Sequence, residues 1–216
     1  MATGRHSPRE PELKLLEVEW DSESPIPEEI QGLLAKADSL LQSYWDSWHR
    51  RPIEQYVACD FRDVWRAMQA VKSQRLPTGN LFCEWGCGFG IVTAMASKLG
   101  WDAVGIEAEA FLVQQAQAFL RSEKIPAEIW HGNFLPNGAE RLAKRQANHA
   151  SLFHKVPCVY DCESLGIDDF GTIFAYPWPG EDYFLKDVFR LYAADRAILV
   201  MFLGPYELEI YRKVCS

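Results

Sequence analysis

Residues 80–90 read Asn80-Leu-Phe-Cys-Glu84-Trp-Gly86-Cys-Gly88-Phe-Gly90, an apolar strand closing on an acidic residue, followed by three glycines at alternate positions. Glycine has no Cβ and tolerates positive φ. A chain leaving a parallel strand can therefore turn sharply there, let a ligand touch its backbone and enter a helix at once. In the phosphate-binding form of this turn the spacing is Gly-x-Gly-x-x-Gly, and pyrophosphate sits on the helix N-terminus. Here the third glycine comes one residue earlier and Glu84 stands at the mouth of the turn. A carboxylate in that place repels pyrophosphate but can pair with a cationic amine.

From this loop onward, strands and helices alternate. Strand 81–85 leads to helix 90–99, and strand 103–107 leads to helix 109–123. Strand 128–132 precedes a long polar connection, 135–171. Strand 172–176 leads to helix 181–193, the apolar run 197–203 forms a buried strand, and 207–214 alternates as a final one. Short apolar strands separated by helices predict an α/β fold: a doubly wound, mostly parallel sheet with helices on both faces. Upstream, Ile30, Leu33, Leu34, Ala37, Leu40, Leu41, Tyr44, Trp45 and Trp48 recur at helical spacing, and Phe61, Val64, Trp65, Met68 and Val71 mark a second helix after Asp60. The expected organisation is a loose tail over 1–27, helices packed on the core over 28–78, and the main domain over 79–216. The tail reading rests on its Pro, Glu and Ser content and weak periodicity.

Three strand ends carry polar groups that suit one nucleoside. Glu107 closes the second strand, placed to accept hydrogen bonds from both ribose hydroxyls of an adenosine lying across the strand C-termini. At the third, Asn133 can meet the adenine amino group while Phe134 contacts the ring, although Gly-Asn is also a common turn pair. Residues 80–134 resemble the cofactor half of the class I S-adenosylmethionine-dependent methyltransferases, with a Rossmann-like fold. The resemblance implies S-adenosylmethionine as cofactor. It places Glu84, Gly86, Gly88 and Gly90 on the motif that cradles the cofactor's amino-acid part, Glu107 at the ribose and Asn133 at the adenine. Cys87 and Phe89, between the glycines, are expected to offer backbone contacts only.

In that fold the fourth strand ends beside the transferable methyl. Here it ends in Tyr176-Pro177-Trp178-Pro179-Gly-Glu181. Amine-directed members carry Asn/Asp-Pro-Pro-Tyr/Phe, and this chain keeps the rigid prolines and an aromatic ring but has Tyr176 where Asn or Asp would stand. The segment still suits an acceptor site: prolines fix the backbone, Trp178 can stack on a flat group or contact a cation, and Glu181 can orient or deprotonate the acceptor. The alternative for Glu181 is an ordinary helix-start residue favoured by the dipole. Tyr56 and Phe61 lie where relatives close the cofactor pocket, with core packing the other fate of Phe61. The basic residues of 135–171, among them Arg141, Lys144, Arg145, His149, His154 and Lys155, suit a lid, an acceptor-recognition loop or a solvated helix face. The usual sheet also carries an antiparallel hairpin after its fifth strand. This chain has room for one strand, 207–214, which implies a shortened C-terminal end.

The chain has 216 residues, 48% hydrophobic and 13% aromatic, with a net charge of −8. This composition excludes wholesale disorder and disfavours a broad nucleic-acid surface, leaving a small-molecule or protein acceptor. With no signal-like or membrane-spanning run, the expected location is cytoplasmic. Cys83 and Cys87 share a Cys-x3-Cys spacing with Cys158 and Cys162. Cys83 lies inside a strand and faces the core, so the thiols read as buried or loop cysteines and no metal site is expected. The main expectation is thus a methyltransferase. A noncatalytic nucleoside-binding scaffold of the same fold is the alternative. An NAD-dependent oxidoreductase is disfavoured by the glycine spacing and Glu84.

Overall fold

A computed structural model describes residues 10–46, 57–143, 152, 154–205 and 207–215. Among the described residues seven strands form one sheet: β1 (Glu12–Leu15), β2 (Leu81–Trp85), β3 (Asp102–Glu107), β4 (Glu128–His131), β5 (Thr172–Ala175), β6 (Ile198–Gly204) and β7 (Glu207–Val214). Their spatial order is β1-β7-β6-β5-β2-β3-β4. The run from β6 to β4 is parallel throughout, whereas β7 is antiparallel to both β6 and β1. This is the mixed, mostly parallel Rossmann-like sheet that the alternating pattern predicts. Chain order reverses between β2 and β5. A crevice opens at such a switch point beyond the strand C-termini, and the glycine loop lies there.

The helices are α1 (Glu28–Asp46), α2 (Phe61–Ser73), α3 (Ile91–Lys98), α4 (Ala110–Ser122), the short α5 (Glu140–Ala143) and α6 (Asp182–Tyr192). Alternation along each strand divides the core into two layers. Phe82, Phe174, Val200 and Phe202 pack with α1, α2, α3 and α4. Cys83, Trp85, Val104, Ile106, Ile173 and Met201 pack on the opposite face with α6 and the β4–β5 connection. Cys83 and Cys87 therefore belong to different layers, which separates the thiols that share the Cys-x3-Cys spacing. On α1 the buried stripe is Ile30, Leu33, Leu34, Ala37, Leu41 and Tyr44, while Trp45 is exposed. Trp48 and Tyr56 lie outside the described residues, as do Lys144, Arg145 and His149.

The N-terminal segment departs from the loose-tail reading. Glu12–Leu15 pairs with Tyr211–Val214, and the Leu16 amide continues the ladder to the Ile210 carbonyl. Gln74 Nε2 then holds the Glu19 carbonyl and Arg66 Nε the Ser24 carbonyl. β1 thereby covers the edge that β7 would otherwise expose. Four residues carry too little local preference to announce a strand. The partner decides this one, because edge pairing satisfies backbone groups whatever the side chains.

One close approach fixes α3 against the sheet. A Cβ on Gly105, within β3, would lie 2.6 Å from Thr93 Oγ1 and 2.8 Å from Cys87 Cβ and Sγ. Thr93 and Cys87 are themselves buried and cannot yield. Gly105→Ala is expected to lower stability by roughly 1–3 kcal/mol through overpacking. For a chain of this size that means a melting temperature lower by several degrees. An unchanged melting curve would show that α3 is free to shift.

Candidate functional site

The glycine loop is built by backbone conformation rather than by side chains. Gly86, Gly88 and Gly90 have φ of +69°, +54° and +72°, all in the left-handed region that disfavours other residues. A Cβ on Gly90 would also sit 3.1 Å from both Ala116 Cβ and Ile129 Cδ1, so the third glycine serves helix packing as well as the turn. Between them, Cys87 anchors the loop by donating its amide to the Ile106 carbonyl at 2.9 Å. Its side chain is buried, as is that of Phe89, whose ring meets Tyr44 edge-on at 5.2 Å. Neither side chain lines the main cavity.

Glu107 ties the loop to the next strand end. One carboxylate oxygen accepts the Gly88 amide at 2.8 Å and the other accepts the Glu109 amide at 2.9 Å. A carboxylate offers about four lone-pair sites, so each oxygen keeps capacity for a further donor. Burial pushes this carboxyl above its ordinary range, and the two amides oppose the shift.

Glu84 lies on the face occupied by α3. Its Oε2 accepts the Thr93 amide at 2.7 Å and the Thr93 hydroxyl at 2.5 Å, capping α3 from the strand. The side chain is 5% exposed, and burial pushes its pKa up to about 8, with the Thr93 bonds opposing and Glu107 adding to the shift. Glu84 lines a small side cavity with Cys59, Phe61, Gly86 and Tyr176. Phe61 is half-buried there and also packs on the core, so it fills both of the roles open to it.

The main cavity, about 360 Å³, opens above the switch point. That volume falls in the range of sites that hold small ligands, roughly 300–1,000 Å³. Gly86, Gly88, Glu107, Glu109, Leu112, Phe134, Leu152 and His154 line one part of it. Tyr176, Pro177, Trp178, Pro179, Glu181, Leu185 and Leu203 line another, with Trp85 and Val57 completing the wall. Tyr176 is braced edge-on by Phe202 at 5.0 Å, and Trp178 is 39% exposed at the rim. Glu181 is 2% exposed. Its Oε2 accepts the Trp178 amide at 3.2 Å, and burial raises its pKa. The helix-start and cavity-lining readings of Glu181 therefore hold together.

Asn133 does not reach this cavity. Its Oδ1 accepts the Leu135 amide at 2.9 Å and its Nδ2 faces the Leu152 carbonyl at 3.3 Å, the turn alternative for Gly-Asn. Its backbone pairs with Pro157 and Val159. Phe134, the next residue, does line the cavity and stacks on Trp85 with centroids 5.2 Å apart and planes 10° from parallel.

The sequence reading does not single out Trp85, and it names His154 only among the basic residues of the 135–171 connection. Trp85 was accessible in principle: strand alternation places it on the face opposite Glu84, where its Nε1 donates to the Tyr160 hydroxyl at 3.1 Å. His154 reaches the site because the 135–171 connection returns along the end of β4, through the Asn133–Cys158 bridge. No local signal carries that return. Among the described residues no cluster of three or more His, Cys, Asp or Glu side chains could hold a metal. None of the described helices is long and apolar enough to cross a membrane.

No protein-family profile matches the chain, and no curated protein matches it. Solved structures to which it is similar include methyltransferases. One, from Geobacter sulfurreducens, is 15% identical, covers 87% of this chain and 98% of its own, and has a TM-score of 0.48. An RNA methyltransferase from Salinibacter ruber, in complex with S-adenosyl-L-homocysteine, is 16% identical over 74% of this chain and 93% of its own, with a TM-score of 0.47. A tRNA (uracil-54, C5)-methyltransferase from Pyrococcus abyssi, also in complex with S-adenosyl-L-homocysteine, is 13% identical over 74% of this chain and 40% of its own, with a TM-score of 0.43.

Proposed function

We propose that this chain is an S-adenosylmethionine-dependent methyltransferase. The observation that carries the reading is the bond from the Gly88 amide to Glu107. It joins a glycine loop with three left-handed residues to a strand-terminal carboxylate that keeps acceptor capacity for a ribose, with Gly86, Gly88 and Glu107 on the wall of one cavity. The donor set suits the cofactor: Glu107 can accept from hydroxyls, Glu84 can pair with an ammonium, and Phe134, Leu112 and Leu152 give a purine an apolar bed. Bound there, the cofactor supplies an activated methyl group on a positively charged sulfur.

What the protein adds is placement. The glycine loop presents bare backbone, Phe134 is held flat by Trp85, and the prolines at 177 and 179 hold the end of β5 in one conformation. Tyr176 and Trp178 line the acceptor side, where they position the incoming group and exclude water. Glu181 joins them as an acceptor-site residue that can receive a hydrogen bond or a proton. The acceptor is a small molecule or a protein group. The acidic balance of the chain speaks against an extended nucleic-acid surface.

Calorimetry with S-adenosylmethionine, S-adenosylhomocysteine and NAD tests the reading. The two sulfur compounds are expected to bind and NAD is not. Tight NAD binding with no response to either sulfur compound would sink it. Binding without methyl transfer to any acceptor would favour a noncatalytic scaffold.

A further inference from the structure

Resting on the cofactor reading above, we infer that Tyr160 is a positioning residue for the base of the cofactor: its hydroxyl holds the Trp85 indole, and Trp85 holds the Phe134 ring flat on the cavity wall. The contacts run in series. Trp85 Nε1 donates to the Tyr160 hydroxyl at 3.1 Å, and the Trp85 and Phe134 rings stack with centroids 5.2 Å apart and planes 10° from parallel. Both rings line the main cavity together with Gly86, Gly88 and Glu107, whereas Tyr160 stands outside that wall.

A buried indole N–H needs an acceptor, and Trp85 is 3% exposed. Tyr160 supplies that acceptor, and its own proton goes to the sulfur of Cys83, which is fully buried. Burial pushes the Tyr160 hydroxyl well above its ordinary range, so it stays protonated and keeps donating. Rotation of the indole would break its bond to Tyr160. The plane of the indole is therefore fixed, and so is that of the ring stacked on it. A ring ordered before the ligand arrives loses no freedom on binding, which is the gain of preorganisation.

The hydroxyl is itself held in place by the return of the 135–171 connection. Tyr160 lies in a short turn, Val159–Asp161, whose first amide donates to the Asn133 carbonyl at 2.9 Å, while the Asn133 amide donates to the Pro157 carbonyl at 2.8 Å. At the other end of the turn, Asn137 Nδ2 donates to the two Asp161 carboxylate oxygens at 2.9 and 2.8 Å. Gly132 lets the two segments approach, since a Cβ there would lie 3.0 Å from the Pro157 carbonyl oxygen and 3.1 Å from Val159 Cβ. Phe134 and Tyr160 thus hang from one braced unit, and Trp85 of β2 joins them. Asn133, turned away from the cavity, serves the base through this unit and not through its own amide.

The test is calorimetry on the full chain with S-adenosylhomocysteine and with 5′-methylthioadenosine, which keeps the base and ribose but lacks the amino-acid part. Tyr160→Phe removes only the hydroxyl and is expected to weaken both ligands by the same factor, roughly three- to tenfold, the size of an ordered aromatic contact. Trp85→Phe should weaken both as well, and adding Tyr160→Phe to it should cost less than about twofold more, because the N–H that the hydroxyl served is gone. A purely structural role would lower the melting temperature and leave the affinity of the folded Tyr160→Phe protein unchanged, a result that overturns the inference. Loss confined to S-adenosylhomocysteine overturns it too, as do effects of the two substitutions that multiply independently. So does absence of methylthioadenosine binding to the wild type while S-adenosylhomocysteine binds. Should Tyr160→Phe not fold, Asn137→Ala frees the Asp161 side of the turn at an exposed contact and is expected to weaken both ligands roughly two- to threefold; unchanged affinities there would overturn the inference in its place. Failure of the wild type to bind S-adenosylhomocysteine at all overturns the cofactor reading itself, a separate and visible result.

Discussion

Glu107→Ala is expected to lower S-adenosylhomocysteine affinity by about 100- to 1,000-fold in calorimetry. The carboxylate has two functions that fail together. It offers the acceptors a ribose would use, and it holds the Gly88 and Glu109 amides at 2.8 and 2.9 Å. Hydrogen bonds to a charged group are each worth roughly 1.5–3 kcal/mol, so losing the ribose pair alone accounts for the lower end of the range. Loosening of the glycine loop adds the rest. Glu107→Gln keeps a carbonyl acceptor at one amide and should fall between wild type and alanine. A melting curve for each variant separates loss of the ligand contact from loss of the fold. Unchanged affinity in a folded Glu107→Ala protein would refute the ribose assignment.

The second large effect is a pH dependence set by Glu84. Its ordinary value of 4.5 applies in the unfolded chain, and burial raises it to about 8 in the fold. A carboxyl with a raised folded value binds more protons folded than unfolded. The stability it allows is therefore fully present below about 4.5 and is lost as pH rises to about 8, above which the loss is constant. At about 1.4 kcal/mol per unit, the difference across that window is on the order of 5 kcal/mol. The ligand-free protein should thus melt at progressively lower temperature from pH 5 to pH 8, and Glu84→Gln should flatten this fall. Glutamine keeps an oxygen for the Thr93 amide and hydroxyl, so the variant tests the charge and not the cap.

The same charge acts in the opposite sense on the proposed cofactor. An ammonium beside Glu84 favours the ionised carboxylate, so binding should release a proton near neutral pH and strengthen as pH rises through about 8. Calorimetry in buffers of different ionisation enthalpy reads the proton directly. Wild-type and Glu84→Gln proteins with the same pH profile would show that Glu84 does not meet the amine.

The sequence and the folded chain divide the remaining questions unevenly. The strand ends at Glu84 and Glu107, the left-handed turn between them and the parallel core strands are encoded locally. Alternating apolar residues fix which side chains face each layer, and glycines at fixed spacing allow few other conformations. That much of the sheet, and the loop at its switch point, could be read from residues 80–107 and the alternation that follows.

Three matters were decided by tertiary contacts. Glu12–Leu15 becomes a strand because β7 presents an edge that needs a partner, and nothing in four residues specifies a partner at the far end of the chain. Asn133 turns its amide to Leu135 and Leu152 because the 135–171 connection returns beside it, which leaves the cavity wall to Phe134 and Trp85. His154 and Leu152 join the site by the same return. Periodicity and turn chemistry are written in neighbouring residues, so the sequence alone determined the parallel core strands and the glycine loop. Which side chains close the cavity depends on segments distant in the chain meeting in space, and only the folded structure could decide it.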